Sequence, residues 1–221
     1  MNNFIFLKSA STILLFIVMP LYLTSCMESE QVSDGQSEFQ TPIIGDYHFI
    51  SGYEPLSADS LVNVVIEIPA GTNAKWEVEK ESGHIAWEIR DGEPRVIDYI
   101  GYVGNYGMVP RTLAGDGDAI DILVLGAPEN RGDIVQARLI GVLEMLDDGE
   151  QDDKLIAVLP ESLFSEARNM AELEQFYPSV PTIIKLWFEN YKGPNNNVEV
   201  IGLGDVHKAW EILSESMDRY K

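Results

Sequence analysis

Asp116, Asp118 and Asp121 fall within six residues, in the run Gly115-Asp-Gly-Asp-Ala-Ile-Asp121. A second acidic run, Asp147-Asp-Gly-Glu-Gln-Asp-Asp153, lies further along and ends at Lys154. Carboxylate oxygens are hard ligands that suit Mg²⁺ or Mn²⁺. Crowded carboxylates repel one another, and a divalent cation relieves that repulsion. If the two loops fold together, Asp116, Asp118, Asp121, Asp147 and Asp152 share one site, while Asp148, Glu150 and Asp153 are expected to be solvated. The first run is no EF-hand loop, since Asp121 stands where that loop needs its glycine. Lys75, Arg95, Lys154 and Lys192 flank acidic or tyrosine-rich stretches in a chain with only 15 bases. Metal-holding carboxylates, cationic clamps and phenol donors together are the equipment for transferring a phosphoryl group to water.

The charge balance narrows the partners. With 36 acids against 15 bases the chain carries −21, which excludes nucleic acid and an anionic membrane surface as binding partners. An anionic substrate enters such a protein only with metal ions or at a local cluster of bases. Nothing resembles the extended basic groove that a nucleotide or long polyphosphate would need. Cys26 is the only cysteine, so disulfides and cysteine-based metal sites are excluded. His48, His84 and His207 lack ligand spacing.

The first 25 residues read as a secretory leader, with Lys8 before a short apolar run at 13–19. Leu23-Thr-Ser-Cys26 resembles the lipobox of bacterial lipoproteins. That resemblance implies lipid on Cys26 and a membrane-anchored protein on the periplasmic or cell-surface side, touching the membrane only through that lipid. Residues 26–45 are polar and acidic and read as a disordered tether, leaving one domain over 46–221.

Within that domain, the β-branched run 61–68 predicts a strand stopped by Pro69 and Gly71, and the alternation at 76–80 predicts a second. Strands at 85–89 and 95–99 bracket the turn Asp91-Gly-Glu-Pro94. Residues 99–107 hold three tyrosines and three glycines and predict an irregular segment closely approached by other groups. The run 122–125 reads as a buried strand, 134–146 as a strand or strand pair bent at Gly141, and 155–159 as another buried strand. The period then changes to that of helices. Leu163, Phe164, Ala167, Met170 and Ala171 mark a first helix. Ser179 as N-cap and Pro181 in the first turn open a second that runs to Tyr191. A strand at 198–203 and a terminal helix from Val206 to Met217 follow. The expected fold is mainly β with α: a small closed OB-like β-barrel with helices packed outside.

Six segments in order resemble the soluble, Mg-dependent family I inorganic pyrophosphatases, from about Val64 to Lys192. They are Ile66-Glu-Ile-Pro-Ala70, Lys75-Trp-Glu77, Tyr102 with Asn105-Tyr-Gly107, Asp116 to Asp121, Asp147 to Lys154, and Glu189-Asn-Tyr-Lys192. The resemblance implies hydrolysis of a metal complex of pyrophosphate by a water bridging two Mg²⁺ ions, with Mn²⁺ or Zn²⁺ as substitutes. It further implies metal ligation by Asp116, Asp121, Asp147 and Asp152, with Glu77 acting through water. Asp118 would be the general base, supported by Glu67 and Tyr102. Lys75, Arg95, Tyr106, Tyr191 and Lys192 would bind phosphate oxygens, assisted by Lys154. The segment around Arg95 is one residue shorter than in bacterial members of that family, which leaves Arg90 as the alternative clamp. A homo-oligomer is compatible with the resemblance.

Overall fold

Aliphatic runs that are buried on both faces build the centre of this protein, in a computed structural model that describes residues 41–194 and 196–221. The leader, Cys26 and most of the expected tether lie outside the described residues. In chain order the elements are β1 (Val62–Ile68), β2 (Trp76–Val78), β3 (Ile85–Trp87), β4 (Ile89–Arg90), β5 (Glu93–Pro94), β6 (Asn105–Met108) and β7 (Asp121–Leu125). They continue with β8 (Ile134–Asp147), β9 (Glu150–Gln151), β10 (Lys154–Val158), α1 (Met170–Phe176), α2 (Val180–Asn190), β11 (Val198–Gly204) and α3 (Val206–Tyr220).

Five strands close a hydrogen-bonded ring. β1 pairs antiparallel with β6, and β6 with β7; β7 runs parallel to β10; β10 pairs antiparallel with β8, and β8 with β1. Closure leaves these strands no free edge. β8 is long enough to serve four partners: β1 near its start, β10 in the middle, and β11 and β9 at its end. The bend expected at Gly141 is a bulge, because the register against β10 jumps from Gly141 to Leu139. An extra residue on one strand sharpens the local twist and lets it curve around the ring.

Both faces of the ring are covered, which is why its strands read as continuous apolar runs. Leu123, Leu125, Ile156 and Val158 pack with Leu173 of α1 and Ile184, Trp187 and Phe188 of α2. Ile122, Val124, Leu155 and Ala157 pack with Ala209, Ile212 and Leu213 of α3. A small-barrel fold with external helices is therefore what forms.

Several local expectations change. The first helix begins only at Met170, capped by Asn169, whose side chain accepts the Glu172 N–H at 2.9 Å. Residues 161–168 form successive tight turns because the Ser162 hydroxyl binds the Leu159 carbonyl and accepts the Phe164 N–H, competing with helical bonds. Ser179 occupies the N-cap position of α2 at φ 71° and makes no capping bond. The turn between β4 and β5 takes just Asp91 and Gly92, both at positive φ. Residues 95–99 form no strand; only Val96 makes an isolated bridge, to Ala74. The tyrosine-rich segment is irregular up to Gly104 and then becomes β6. Ile43 already pairs with Ile85 through bonds of 2.8 and 3.0 Å, upstream of the domain start at 46 expected from composition.

Gly107 in β6 lies against the Val65 carbonyl of β1, where any Cβ would collide with backbone. Gly107→Ala is expected to cost about 3 kcal/mol, read as a lowered urea midpoint at unchanged slope. An unchanged midpoint would refute this packing.

Candidate active site

The parallel pairing of β7 with β10 sets the first contact of the site. Leu155 lies opposite Ile122, so Asp121 and Lys154 open their strands side by side. The Lys154 side chain is only 4% exposed, and its Nζ contacts Asp121 Oδ2 and Asp152 Oδ1. Burial opposes the ammonium charge, but these two carboxylates more than offset it and hold the lysine pKa well above its ordinary value. At Asp121 burial pushes the carboxyl up; Lys154, Lys75 and a hydrogen bond from Tyr106 outweigh it, leaving the group below its usual range. At Asp152 burial prevails over Lys154, and the carboxyl sits above its usual range. Asp153, expected to be solvated, is buried instead: it accepts the Met145 N–H at 3.1 Å and the Gln151 amide at 2.7 Å. It braces the loop that carries Asp152.

β1 and β2 supply the next group. Glu67 is buried and accepts the Val78 N–H at 2.7 Å. Burial pushes its carboxyl up to about 8, although Lys75 pulls it down. Lys75 Nζ lies 3.5 Å from Glu77 and 5.7 Å from the Tyr106 ring centre. Burial works against its charge, and Glu67 and Asp121 more than compensate, so it stays a cation. Tyr102 packs on Tyr106 at 5.0 Å and on Trp187 at 4.4 Å, and Trp187 stacks on Tyr191 at 4.9 Å. Burial raises all three phenol pKa values, so these hydroxyls remain neutral donors.

A second stack braces the strands behind these residues. The Arg131 guanidinium sits 4.4 Å over Trp76, and its Nε donates to the Glu67 carbonyl at 2.8 Å. Trp76 stacks on Trp87 at 5.4 Å, and the Trp87 indole N–H donates to the Arg95 carbonyl at 2.8 Å. That same carbonyl accepts the Lys75 N–H at 3.0 Å. The backbones around Glu67, Lys75, Glu77 and Arg95 are thereby locked together.

Three hollows, the first two sharing Asp116 and Asp121, hold most of the expected residues. Asp116, Asp121 and Asp152 line one. Glu67, Lys75, Glu77, Asp116, Asp118 and Asp121 line a second. Arg90, Arg95, Asp147, Tyr191 and Lys192 line a third. Asp121 belongs to both carboxylate hollows, whereas Asp147 lies with the cationic group, paired to Lys192. Asp118 is paired with Lys80, and its N–H donates to Asp116 Oδ1 at 2.9 Å. Arg95 binds Glu88 at 2.6 Å and is 15% exposed; Arg90 is 3.6 Å from the same glutamate and 60% exposed. Among the described residues no three acidic or histidine side chains form a ready-made metal cluster, because lysines engage Asp118, Asp121, Asp147 and Asp152. The donor set nevertheless fits Mg²⁺: three carboxylates around one hollow offer only oxygen. Lys80, Glu88 and Arg131 escape sequence reasoning. The one hint of Lys80 and Arg131 was the scarcity of bases in so acidic a chain, and Glu88 had none.

The family model for inorganic pyrophosphatase matches residues 64–221. The chain belongs to the inorganic pyrophosphatase family. It is 40% identical over 164 residues to the inorganic pyrophosphatase of Campylobacter jejuni, covering 72% of this chain and 92% of that one. It is 38% identical over 166 residues to the soluble inorganic pyrophosphatase of Zea mays, covering 74% of each. Among solved structures, the Thermus thermophilus inorganic pyrophosphatase superposes with a TM-score of 0.68 at 31% identity, over 79% of this chain and 99% of that one. The type I inorganic pyrophosphatase of P. falciparum superposes at 0.72 with 23% identity, and there the chain spans 62% of the relative's length, a likeness of fold alone. The ring of strands, the order of the motifs and these matches agree: this is an inorganic pyrophosphatase that hydrolyses pyrophosphate.

The raised Glu67 carboxyl has a consequence for stability. Its folded pKa of about 8 exceeds the ordinary 4.5, so the fold binds its proton more tightly than the unfolded chain does. That contribution is complete below about pH 4.5 and is lost as pH rises through about 8. In EDTA, wild-type protein should lose stability across this window, and Glu67→Gln, which keeps the bond from Val78, should flatten the loss. Parallel curves of denaturation midpoint against pH would show that Glu67 does not titrate as described.

Proposed function

We propose that hydrolysis of pyrophosphate runs with Mg²⁺ held by Asp116, Asp121 and Asp152, with Asp118 as the general base. Asp147 and Glu77 complete the ligand set, Glu77 through water. Bound Mg²⁺ supplies charge neutralisation and brings the pKa of water from about 15.7 towards neutrality. The observation that carries the reading is the wedge of Lys154 between Asp121 and Asp152, with Asp116 and Asp118 on the adjoining loop. Facing carboxylates of that kind are stable only with cations between them.

The chain's own residues do the remaining work. Asp118 accepts the proton of the attacking water, and to do so it exchanges its pairing with the exposed Lys80. Lys75 and Lys192 neutralise phosphate oxygens, together with Arg95, which lines the same hollow as Lys192. Arg95 is better suited than Arg90 because its half-buried guanidinium is already oriented by Glu88. Tyr106 and Tyr191 donate hydrogen bonds and do not ionise at neutral pH. Lys154 orients the two carboxylates and assists the phosphate. Glu67 and Tyr102 support Lys75 and Tyr106. Donors aimed in advance at developing negative charge lower the barrier without reorganising.

Purified full-length protein is expected to release phosphate from pyrophosphate with Mg²⁺ and to stop in EDTA. Asp118→Asn should lower turnover about 10²- to 10⁴-fold while calorimetric Mg²⁺ binding persists. Pyrophosphate left intact in Mg²⁺, Mn²⁺ and Zn²⁺ alike would end this reading.

The same proposal includes the anchor: a domain held at a membrane by lipid on Cys26, acting on pyrophosphate outside the cytoplasm. Its support is the run Leu23-Thr-Ser-Cys26 behind a short apolar stretch. A Cys26→Ser chain expressed in a bacterium is expected to lose incorporation of labelled fatty acid and to leave the membrane fraction. Equal labelling of wild type and variant would exclude the anchor.

A further inference from the structure

α3 ends beside the loop that carries Asp116 and Asp118, and its final turns hold that loop by the backbone. The Leu113 N–H donates to the Ser216 carbonyl at 2.9 Å, and Arg219 Nε donates to the Leu113 carbonyl at 2.8 Å. Both backbone polar groups of Leu113 are thus committed to α3. A second guanidinium nitrogen of Arg219 donates to Ser216 Oγ at 3.1 Å. Ser216 is fully buried, and its hydroxyl in turn donates to the Ile212 carbonyl at 2.8 Å. The fork of Arg219 therefore spans the helix and the loop, a geometry that a single ammonium cannot reproduce.

Beyond Leu113 the loop is closed on itself. The Ala114 N–H donates to the Asp118 carbonyl at 2.6 Å, and the Gly117 N–H to the Ala114 carbonyl at 3.2 Å. At its base the Ile120 N–H donates to Thr112 Oγ1 at 3.0 Å. A loop braced in this way moves as a unit, and its setting against Asp121 and Asp152 is decided where it is gripped. Ile212, Glu215 and Arg219 also line the hollow that holds Asp116, Asp121 and Asp152.

We propose that Arg219 is a positioning residue for divalent-cation binding: by holding Leu113 it keeps the Asp116 carboxylate aimed into the hollow shared with Asp121 and Asp152. This rests on the reading that Asp116 and Asp121 are metal ligands. Although Arg219 lines that hollow, its role runs through Leu113 and Ser216 rather than through the cation, which its own positive charge would repel.

The test is titration calorimetry of Mg²⁺ into the full-length protein without pyrophosphate, alongside kinetics. Arg219→Gln is expected to weaken Mg²⁺ binding about five- to tenfold. The Mg²⁺ concentration for half-maximal turnover should rise in parallel, and KM for pyrophosphate at saturating Mg²⁺ should stay within about twofold. Arg219→Lys, which keeps one donor and the charge, should recover part of the affinity. It also carries the test should the glutamine variant fold poorly. A variant with a lower melting temperature but wild-type Mg²⁺ affinity would overturn the proposal. Asp116→Asn separates the two levels of inference. If it leaves Mg²⁺ affinity unchanged, the metal-ligand reading itself fails. If it weakens binding while Arg219→Gln does not, only the positioning role is lost.

Discussion

A buried lysine between two carboxylates is the constraint on which the rest of the site depends. Lys154 cannot be buried alone without a penalty of several kcal/mol, and neither can Asp121 or Asp152. The three are tolerable only together, and they meet only because β7 and β10 run parallel with Asp121 and Lys154 at matching ends. Parallel neighbours are rare in so small a ring, since every other pairing among its five strands is antiparallel. That one pairing brings the acidic loops, far apart in the chain, to the same end of the barrel.

The surplus of acid follows the same logic. A chain at −21 repels its own substrate unless cations stand between them, and here the scarce bases are concentrated at the site. Lys75, Lys80, Lys154 and Lys192 each engage a carboxylate that the metal reading requires or its neighbour. These lysines offset the mutual repulsion of the acids. In the proposed mechanism Lys75, Lys154 and Lys192 are the groups that turn towards phosphate oxygens. On that reading, short-range ion pairing and catalysis draw on one set of side chains.

Positioning falls largely to groups outside the proposed chemistry. The Arg131–Trp76–Trp87 stack ties the backbones beneath Glu67, Lys75 and Arg95. The Tyr102–Trp187–Tyr191 stack fixes the phenols. Asp153 braces the second acidic loop from below. These aromatic faces and buried polar groups have defined orientations, so they hold charged side chains at angles that flexible lysines would not keep unaided.

The sequence by itself determined most of the strands, the family and the class of chemistry, and it named the residues on which the proposed mechanism draws. Ile122 to Leu125 and Leu155 to Val158 read as buried strands because each is apolar on both faces, and the acids beside them gained meaning only when both acidic loops were taken together with the neighbouring bases and tyrosines. Helix starts were less legible: Ser162 spends its hydroxyl on local turns, so the helix expected from Leu163 waits for Asn169. Tertiary structure decided what contact alone can decide. Periodicity says which face of a strand is buried but not which strand lies beside it, so the meeting of Lys154 with Asp121 and Asp152, the pairing of Asp118 with Lys80, and the burial of Asp153 had no local signal. The clasp of Arg219 on Leu113 joins residues more than a hundred positions apart; only the folded ring brings them together, because a hydrogen bond's reach is set in space and not along the chain.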